Sequence, residues 1–370
     1  GKTALQARVD RLAGIVQHAK VGTYREKAER VASLAEALAR RLGLPASDAS
    51  AARRAALLSK ADLPTGLVAE FPELQGVVGG LLLRREGEDE KVSAAVYEHY
   101  RPRGPDDPPP ATELGAVLSV ADKIDSVASL LAAGERPTGS RDPFGLRRAT
   151  AGIFRIAFDR SWSVSLEALG RLSAFATGGS PREEVLAYLE QRLADHLRER
   201  GFTIHEVHAA LKARAADGAE APPLPDVLAR LDAVRAVRNR SDFRRLVELT
   251  KRSWNITRQT GELLERGEGE GRGGAAAGPP APATRALGEA LDRAEPAIRD
   301  AAARREYGAA LDVLAGLVDP VGTFFDEVLV LDPEDLAGTR LRHELLVRLR
   351  TLLTRHFDLR ELPGDADRRP

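Results

Sequence analysis

The sequence predicts an all-α protein. Ala, Leu, Arg and Glu dominate it, runs of β-branched residues are short, and apolar residues recur at helical spacing. The clearest example is an apolar stripe along one helix, formed by Leu341, Leu345, Leu346, Leu349, Leu352, Leu353 and Phe357. Such a stripe is typical of a helix that packs against a core. At 370 residues the chain exceeds the roughly 250 to 300 residues at which single cores stop growing, so we expect two or three domains.

Three capping signals predict where helices begin. Two of them place an Asp before Pro, so that the carboxylate accepts from the first turn and Pro occupies the first helical position. The third is a capping box of Ser and Glu. The signals are Asp142-Pro143, Asp332-Pro333-Glu334 and Ser180-Pro181-Arg182-Glu183. We therefore predict helices that begin near residues 143, 333 and 181.

Two segments are predicted to interrupt the helices. Residues 104–110, GPDDPPP, cannot continue a helix and are expected to form a stiff surface loop. Residues 267–284, GEGEGRGGAAAGPPAPAT, lack the apolar side chains that would offset the entropy lost on ordering. We therefore predict a flexible segment at 267–284.

Composition excludes several kinds of protein. The chain has no Cys, which excludes disulfides, thiolate nucleophiles and cysteine-zinc sites. We find no apolar run of about 18 residues and no signal-peptide pattern at Gly1, so we expect neither membrane insertion nor export, and a soluble chain. The chain also has no Met and opens at Gly1 in what reads as helix. We therefore expect it to be part of a longer protein.

Any contact with nucleic acid has to be local, because 55 Lys and Arg balance 55 Asp and Glu. Between Val227 and Arg258 nine basic residues stand against three acidic ones, a local net charge of +6. An Arg-rich surface helix commonly does no more than solvate its outer face. This stretch is therefore either an RNA-binding surface or a solvated face.

Two long strings of unusual composition carry a resemblance to a known family. They are KADLPTGLVAEFPELQGVVG at 60–79 and PTGSRDPFGLRRATAGIFRI at 137–156. Both resemble the β subunit of the bacterial two-subunit glycyl-tRNA synthetase. The resemblance implies a cytoplasmic subunit that binds tRNA(Gly) and assembles with an α subunit, which activates glycine with ATP and Mg. It implies no catalytic residue and no cofactor in this chain, and no membrane or DNA as a partner.

Within this resemblance, residues 1–136 look like the HD-type helical domain of the β subunit. HD phosphohydrolases place an adjacent His-Asp pair, with further His and Asp ligands, around one or two divalent cations. This chain has no His-Asp dipeptide and carries Ser59-Lys60 at that position. Because a Lys ammonium repels a divalent cation, we expect the metal site to be lost. His99 and Asp122 are then structural remnants.

The rest of the chain divides into two further regions in the same resemblance. Residues 137–222 are interpreted as a helical connecting region. Residues 223–370 resemble the helical-bundle anticodon-binding domain shared with arginyl-tRNA synthetase, through Tyr307, Leu311, Leu314 and the string FFDEVLV at 324–330. This domain contains the predicted flexible segment.

Arg147 and Arg148 are the first candidate RNA contacts. They follow a Gly-bearing turn, Pro137 to Ser140, and two forked guanidinium groups beside a helix start suit a phosphate. The alternative is that either Arg pairs with a carboxylate between domains.

The other candidates lie in the C-terminal region. Lys251, Arg252 and Asn255 belong to a K-R-x-x-N-I element of the family, in which we expect Trp254 to be buried and the two basic residues exposed. Arg342 and His343 are candidates for the anticodon loop. The chain has Glu344-Leu345 where the family commonly has Asn-Arg, which is a departure at that site.

Two rival functions remain open from the sequence. One is a metal-dependent HD-type phosphohydrolase, against which the missing His-Asp pair counts directly. The other is an all-helical interaction scaffold without an RNA role, which the balanced net charge permits.

Overall fold

The computed structural model describes residues 4–139, 141–179, 182–213, 221–269 and 280–364. These ranges contain eighteen α-helices, three short 3-10 helices and one two-stranded antiparallel sheet. The prediction of an all-α fold is confirmed.

The described residues cluster into two compact units. The first runs to His196 and also includes Pro223–Pro225, and the second comprises the described parts of 197–222 and 226–370. The predicted division into 1–136, 137–222 and 223–370 rests on the resemblance and stays a prediction.

The first unit holds most of the shorter helices. They are α1 Ala4–Arg11, α2 Tyr24–Arg41, α3 Ala46–Leu58, α4 Gly66–Glu70, α5 Val77–Arg85, α6 Glu90–Glu98, α7 Glu113–Ala132, α8 Leu146–Asp159, α9 Leu166–Leu172, α10 Ala174–Thr177 and most of α11 Arg182–Glu199. Strands β1 Val16–His18 and β2 Gly22–Thr23 form the small sheet, and 3-10 turns lie at Leu12–Gly14 and Pro72–Leu74.

Helix α7 is the centre of the first unit and is buried around almost its whole circumference. It packs against α2, α3, α6 and α8. A helix in this position is expected to be apolar on all faces. Helix α7 departs from that rule at three charged residues that are all buried, Asp122, Lys123 and Asp125. The chemistry of the first unit is concentrated there.

The second unit is built from longer helices. They are α12 Ile204–Leu211, α13 Leu224–Val237, α14 Ser241–Gly269, α15 Pro282–Ala303, α16 Tyr307–Ala315, α17 Val318–Glu327 and α18 Leu336–Arg355, followed by a 3-10 turn at Leu359–Glu361. Helices α14 and α18 pack against each other, and α15 packs against α16, α17 and α18. The apolar stripe predicted between 341 and 357 is confirmed as core, because Leu346, Leu349 and Phe357 are at most 1% exposed.

Two predicted helix starts lie three residues too early. Helix α8 begins at Leu146, because Gly145 adopts a left-handed conformation with φ of 67° and closes a turn first. The Asp142 carboxylate still accepts from the backbone N–H groups of Leu146 and Arg147, at 2.8 and 3.0 Å. Helix α18 begins at Leu336, where the second acidic residue of the signal, Asp335, is the cap and Asp332 forms a preceding turn. Ser180 and Pro181 lie outside the described residues, and α11 begins at Arg182.

The two predicted breaks differ in how much of each the structure describes. Residues 104–110 contain neither helix nor strand, as expected. In the second break, residues 267–269 end α14 and residues 282–284 begin α15. The prediction of a flexible segment therefore falls on residues 270–279, which lie outside the described residues.

The sequence expectation that no run is apolar enough to cross a membrane needs a correction. Within the described ranges one stretch, Tyr307–Glu327, passes that test by length and composition, with a mean hydropathy of 1.4. It consists of α16 and α17, which place Leu311, Leu314 and Phe324 in the core of the second unit. Core packing accounts for its apolar composition.

Candidate functional site

Lys60 brings the two predicted metal-site remnants together around its ammonium. It follows the end of α3 and is 1% exposed. Its Nζ lies 2.9 Å from Nε2 of His99 and 3.1 Å from Oδ1 of Asp122. Nζ also lies 4.1 Å from the centre of the Tyr100 ring, which is a cation–π contact. The position that would suit a divalent cation is therefore held by a side chain of the protein.

The protonation state of His99 can be read from these contacts. Nδ1 lies 2.6 Å from the carbonyl oxygen of Val96, which can only accept, so Nδ1 carries the proton. Nε2 is then free to accept from Lys60. Burial lowers the pKa of His99 well below its ordinary value, and the Lys60 ammonium adds to this. A neutral imidazole that accepts from an ammonium cannot serve as a metal ligand at the same time.

A second ion-paired layer lies beside Lys60. Lys27 of α2 places Nζ 3.2 Å from Oδ1 of Asp122 and 2.9 Å from Oδ2 of Asp125. Arg30 donates to Asp125 at 2.7 Å. Although burial alone would raise it, Lys27 and Lys60 hold the pKa of Asp122 well below its usual range. Within the described residues no group of three His, Cys, Asp or Glu side chains could hold a metal ion.

Lys123 is a third buried ammonium in the same place. Its Nζ donates to Oγ of Ser119 at 2.6 Å and to the carbonyl oxygen of Arg101 at 3.1 Å. Burial lowers the pKa of Lys123 to about 7. The stem passes close to α8, where a Cβ on Gly152 would lie 2.8 Å from Cε of Lys123. Only a residue without a side chain leaves room for it there.

These residues form the floor of a cavity of about 460 Å³ in the first unit. Five basic side chains line it, and Asp122 is the acidic one: Lys27, Lys60, Arg103, Lys123 and Arg148. Arg103 is fixed by donating to the carbonyl oxygens of Glu73 and Gln75. Arg148, a predicted RNA contact, is exposed. The sequence analysis identified Lys60 only as a lost ligand and missed Lys27 and Lys123, whose lysines in KAERV and ADKID were the available signal.

The two Arg residues of the 137–156 string face different cavities. Arg148 lines the basic cavity, whereas Arg147 lines a second one of about 480 Å³. That second cavity also contains Arg136, Glu184 and Arg192. Arg136 is paired with Glu184 at 2.6 Å. Arg147 and Arg148 therefore do not form one forked phosphate clamp.

The K-R-x-x-N-I element lies on α14 in the second unit. Arg252 and Asn255 are exposed, and Lys251 is partly exposed. The Arg252 guanidinium lies 4.5 Å from the centre of the Phe325 ring and donates to its carbonyl oxygen at 3.4 Å. Trp254, expected to be buried, is only half-buried, because two guanidinium groups cover it instead of apolar side chains. The groups of Arg350 and Arg360 lie 4.8 and 3.5 Å from the ring centre.

Arg342 and His343 of α18 are engaged within the second unit. Arg342 donates to Oδ2 of Asp335 at 3.2 Å and to Oγ1 of Thr339 at 2.8 Å, and it also reaches the carbonyl oxygen of Val330. Nδ1 of His343 lies 2.7 Å from Oγ1 of Thr260. Burial lowers the pKa of His343. Both residues thus tie α18 to neighbouring segments.

Much of the basic charge between Val227 and Arg258 is paired. Four acidic residues from outside this stretch contact it, which lowers the net charge of the surface from +6 to +2. The pairs are Arg238 with Glu206, Arg240 with Asp312, Arg245 with Asp319 and Arg258 with Glu262. The surface remains positive, but its field is far weaker than the sequence count indicates.

Comparison with known proteins gives one consistent result. Residues 1–212 match the family model described as glycyl-tRNA synthetase beta subunit. The chain belongs to this family. It is 37% identical over 360 residues to the glycine–tRNA ligase beta subunit of Acidobacterium capsulatum, covering 95% of this chain and 50% of that relative. The Ralstonia nicotianae and Leptothrix cholodnii beta subunits are 36% and 38% identical, each over 98% of this chain.

The matches to the beta-subunit family include all of the candidate site residues. The family model covers the buried lysine cluster and Arg147 and Arg148, and the full-length matches also cover Lys251, Arg252, Arg342 and His343. The chain spans about half the length of the relatives it matches, which is 50% for Acidobacterium and 51% for Leptothrix.

Proposed function

We propose that this chain is part of the β subunit of a glycine–tRNA ligase and holds tRNA(Gly) for an α subunit. The α subunit uses ATP and Mg to activate glycine, and the assembly works in the cytoplasm without a membrane or DNA partner. The observation that carries the proposal is the match to beta subunits over 95 to 98% of the chain. This part of the β subunit contributes no catalytic residue and no cofactor site.

The proposed RNA contacts divide into direct and indirect ones. Arg148, Arg252 and Asn255 are exposed and can reach a phosphate or base directly, and Arg147 and Lys251 are partly exposed. Arg342 and His343 are held by contacts within the second unit, so they act by fixing the α18 surface. Because the net charge of the basic surface is small, binding rests on a few placed donors rather than on a long-range field.

The phosphohydrolase alternative is disfavoured by a specific contact. The Lys60 ammonium lies about as close to His99 and Asp122, at 2.9 and 3.1 Å, as a hydrogen-bond partner can. Water activation by a divalent cation would require that ammonium to leave.

Direct binding of tRNA tests the proposal. The affinity of the chain for tRNA(Gly) and for a non-cognate tRNA of the same length is measured by fluorescence anisotropy between about 50 and 200 mM salt. We expect tighter binding of tRNA(Gly), and a logarithm of affinity that falls linearly with the logarithm of salt concentration. Equal, salt-independent affinity for both RNAs, or no binding, would overturn the proposal and favour an interaction scaffold.

A further inference from the structure

The basic cavity of the first unit carries more positive charge than its own carboxylates balance. Five cations line it: Lys27, Lys60, Arg103, Lys123 and Arg148. Arg30 adds a sixth directly behind the wall through its pair with Asp125. Only two carboxylates, those of Asp122 and Asp125, are paired with this group in the described structure. The cluster therefore has an excess of about four positive charges when every Lys is protonated.

The inner part of this charge is desolvated. Lys27, Lys60 and Lys123 are at most 8% exposed. Lys123 donates to uncharged oxygens of Ser119 and Arg101. Desolvated cations without matching anions are costly for a folded protein. An anion in the cavity would offset that cost, and the cavity walls supply N–H donors on several sides.

The size and the aromatic wall narrow the class of anion. A volume of about 460 Å³ is within the range of small-molecule sites and exceeds what a bare phosphate fills. Phe144 lines the same cavity and is 42% exposed, so one aromatic surface is open to a ligand. An unpaired base stacks on such a ring. A phosphate on the lysine floor and a base on Phe144 together describe a nucleotide.

We infer that this cavity binds the phosphate monoester of a single nucleotide. The nucleotide is either free in solution or the 5′-phosphorylated end of an RNA, since both present the same dianion and the same base. The site is a binding site and not a reaction centre, because the ammonium of Lys60 stands where a metal would have to activate water. This inference is independent of the tRNA-holding role, which depends on surfaces of both units.

Calorimetry with four probes tests the inference on the whole chain. The probes are 5′-AMP, adenosine, and a short single-stranded RNA with either a 5′-phosphate or a 5′-hydroxyl. We expect 5′-AMP to bind and adenosine not to bind. Tighter binding of the 5′-phosphorylated RNA than of its 5′-hydroxyl form assigns the site to an RNA end, whereas no difference between the RNAs assigns it to a free nucleotide. Equal binding of 5′-AMP and adenosine, or binding of neither 5′-AMP nor 5′-phosphorylated RNA, would overturn it.

Three variants place the binding in this cavity. Arg148→Gln removes an exposed donor from the mouth, and we expect about a tenfold loss of affinity for the probe that binds. Ala149→Phe fills the cavity from α8 and should abolish binding. Arg53→Gln removes the same charge from an exposed position of α3 that does not line the cavity, so its affinity should match wild type. Equal losses in Arg53→Gln and Arg148→Gln, with both proteins folded by circular dichroism, would mean that binding lies elsewhere. Such a result would leave the tRNA experiment unaffected.

Discussion

Replacing Asp122 with Asn is the sharpest test of the buried charge cluster. The carboxylate holds two ammonium groups, with Oδ1 3.1 Å from Nζ of Lys60 and 3.2 Å from Nζ of Lys27. Lys27 keeps Asp125 after the change, whereas Lys60 keeps only neutral His99 and the Tyr100 ring. Removing one partner of a buried ion pair costs about 3 to 5 kcal/mol, because the other charge stays buried. For a unit of this size that corresponds to a fall in melting temperature of about 6 to 20 °C.

The first unit can be followed separately, because each unit contains one of the two Trp residues. Trp162 is 5% exposed and donates from Nε1 to Glu113 at 2.7 Å, so its fluorescence reports unfolding of the first unit. In a Trp254→Phe background, urea unfolding gives the stability of wild type and of Asp122→Asn. Asp159→Asn, an exposed acid next to Arg160, is the matched control and should change stability by less than about 0.5 kcal/mol.

The pH dependence of this difference has a definite sign. Lys27 and Lys60 hold the pKa of Asp122 well below its value in the unfolded chain, which is about 3.9. The carboxylate therefore contributes its full stability above pH 4, and the contribution is lost as the pH falls through the folded pKa. The gap between wild type and Asp122→Asn should be constant near neutral pH and should shrink in acid. A variant no less stable than Asp159→Asn would refute our account of the cluster.

Three further predictions use the same materials. Because burial lowers the folded pKa of Lys123 to about 7, wild-type stability should rise with pH between about 7 and 10 by at most about 1.4 kcal/mol per pH unit, and Lys123→Met should flatten this slope in urea unfolding. Replacing Lys251 and Arg252 together with Ala should weaken tRNA binding and reduce its salt slope by about one unit per lost phosphate contact, and an unchanged slope in a folded protein would make the basic stretch a solvated face. Arg342→Ala should cost the second unit about 1 to 3 kcal/mol by leaving polar groups unpaired, and it should also reduce discrimination between anticodon variants measured by anisotropy.

The sequence predicted the parts of the fold that depend on local patterns. The apolar stripe of α18 and the capping carboxylate of Asp142 are local features, and both are present in the structure. The starting residue of α8 was missed, because the left-handed conformation of Gly145 comes from the way the turn closes. The apolar stretch Tyr307–Glu327 was overlooked, because its composition reflects a core that the sequence does not display.

The candidate site was predicted only in part, because its charges come from distant positions. The Ser59-Lys60 replacement was visible in the sequence, but the placement of the Lys60 ammonium between His99 and Asp122 depends on how α3 packs against α6 and α7. Likewise, a charge count along residues 227–258 omits Glu206 and Asp312, which pair with that surface from elsewhere in the chain. Pairing through space decides electrostatics, and one sequence read in order does not reveal it.

The division of labour between subunits is the central claim, and one measurement tests it most directly. A full-length β subunit carrying Lys251→Ala and Arg252→Ala is combined with its α subunit, and two activities are compared with wild type. We predict that glycine-dependent exchange of pyrophosphate into ATP is unchanged, while the KM for tRNA(Gly) in charging rises. Equal loss of both activities, or glycyl-adenylate formation by this chain alone, would contradict the claim that it holds tRNA and leaves activation to its partner.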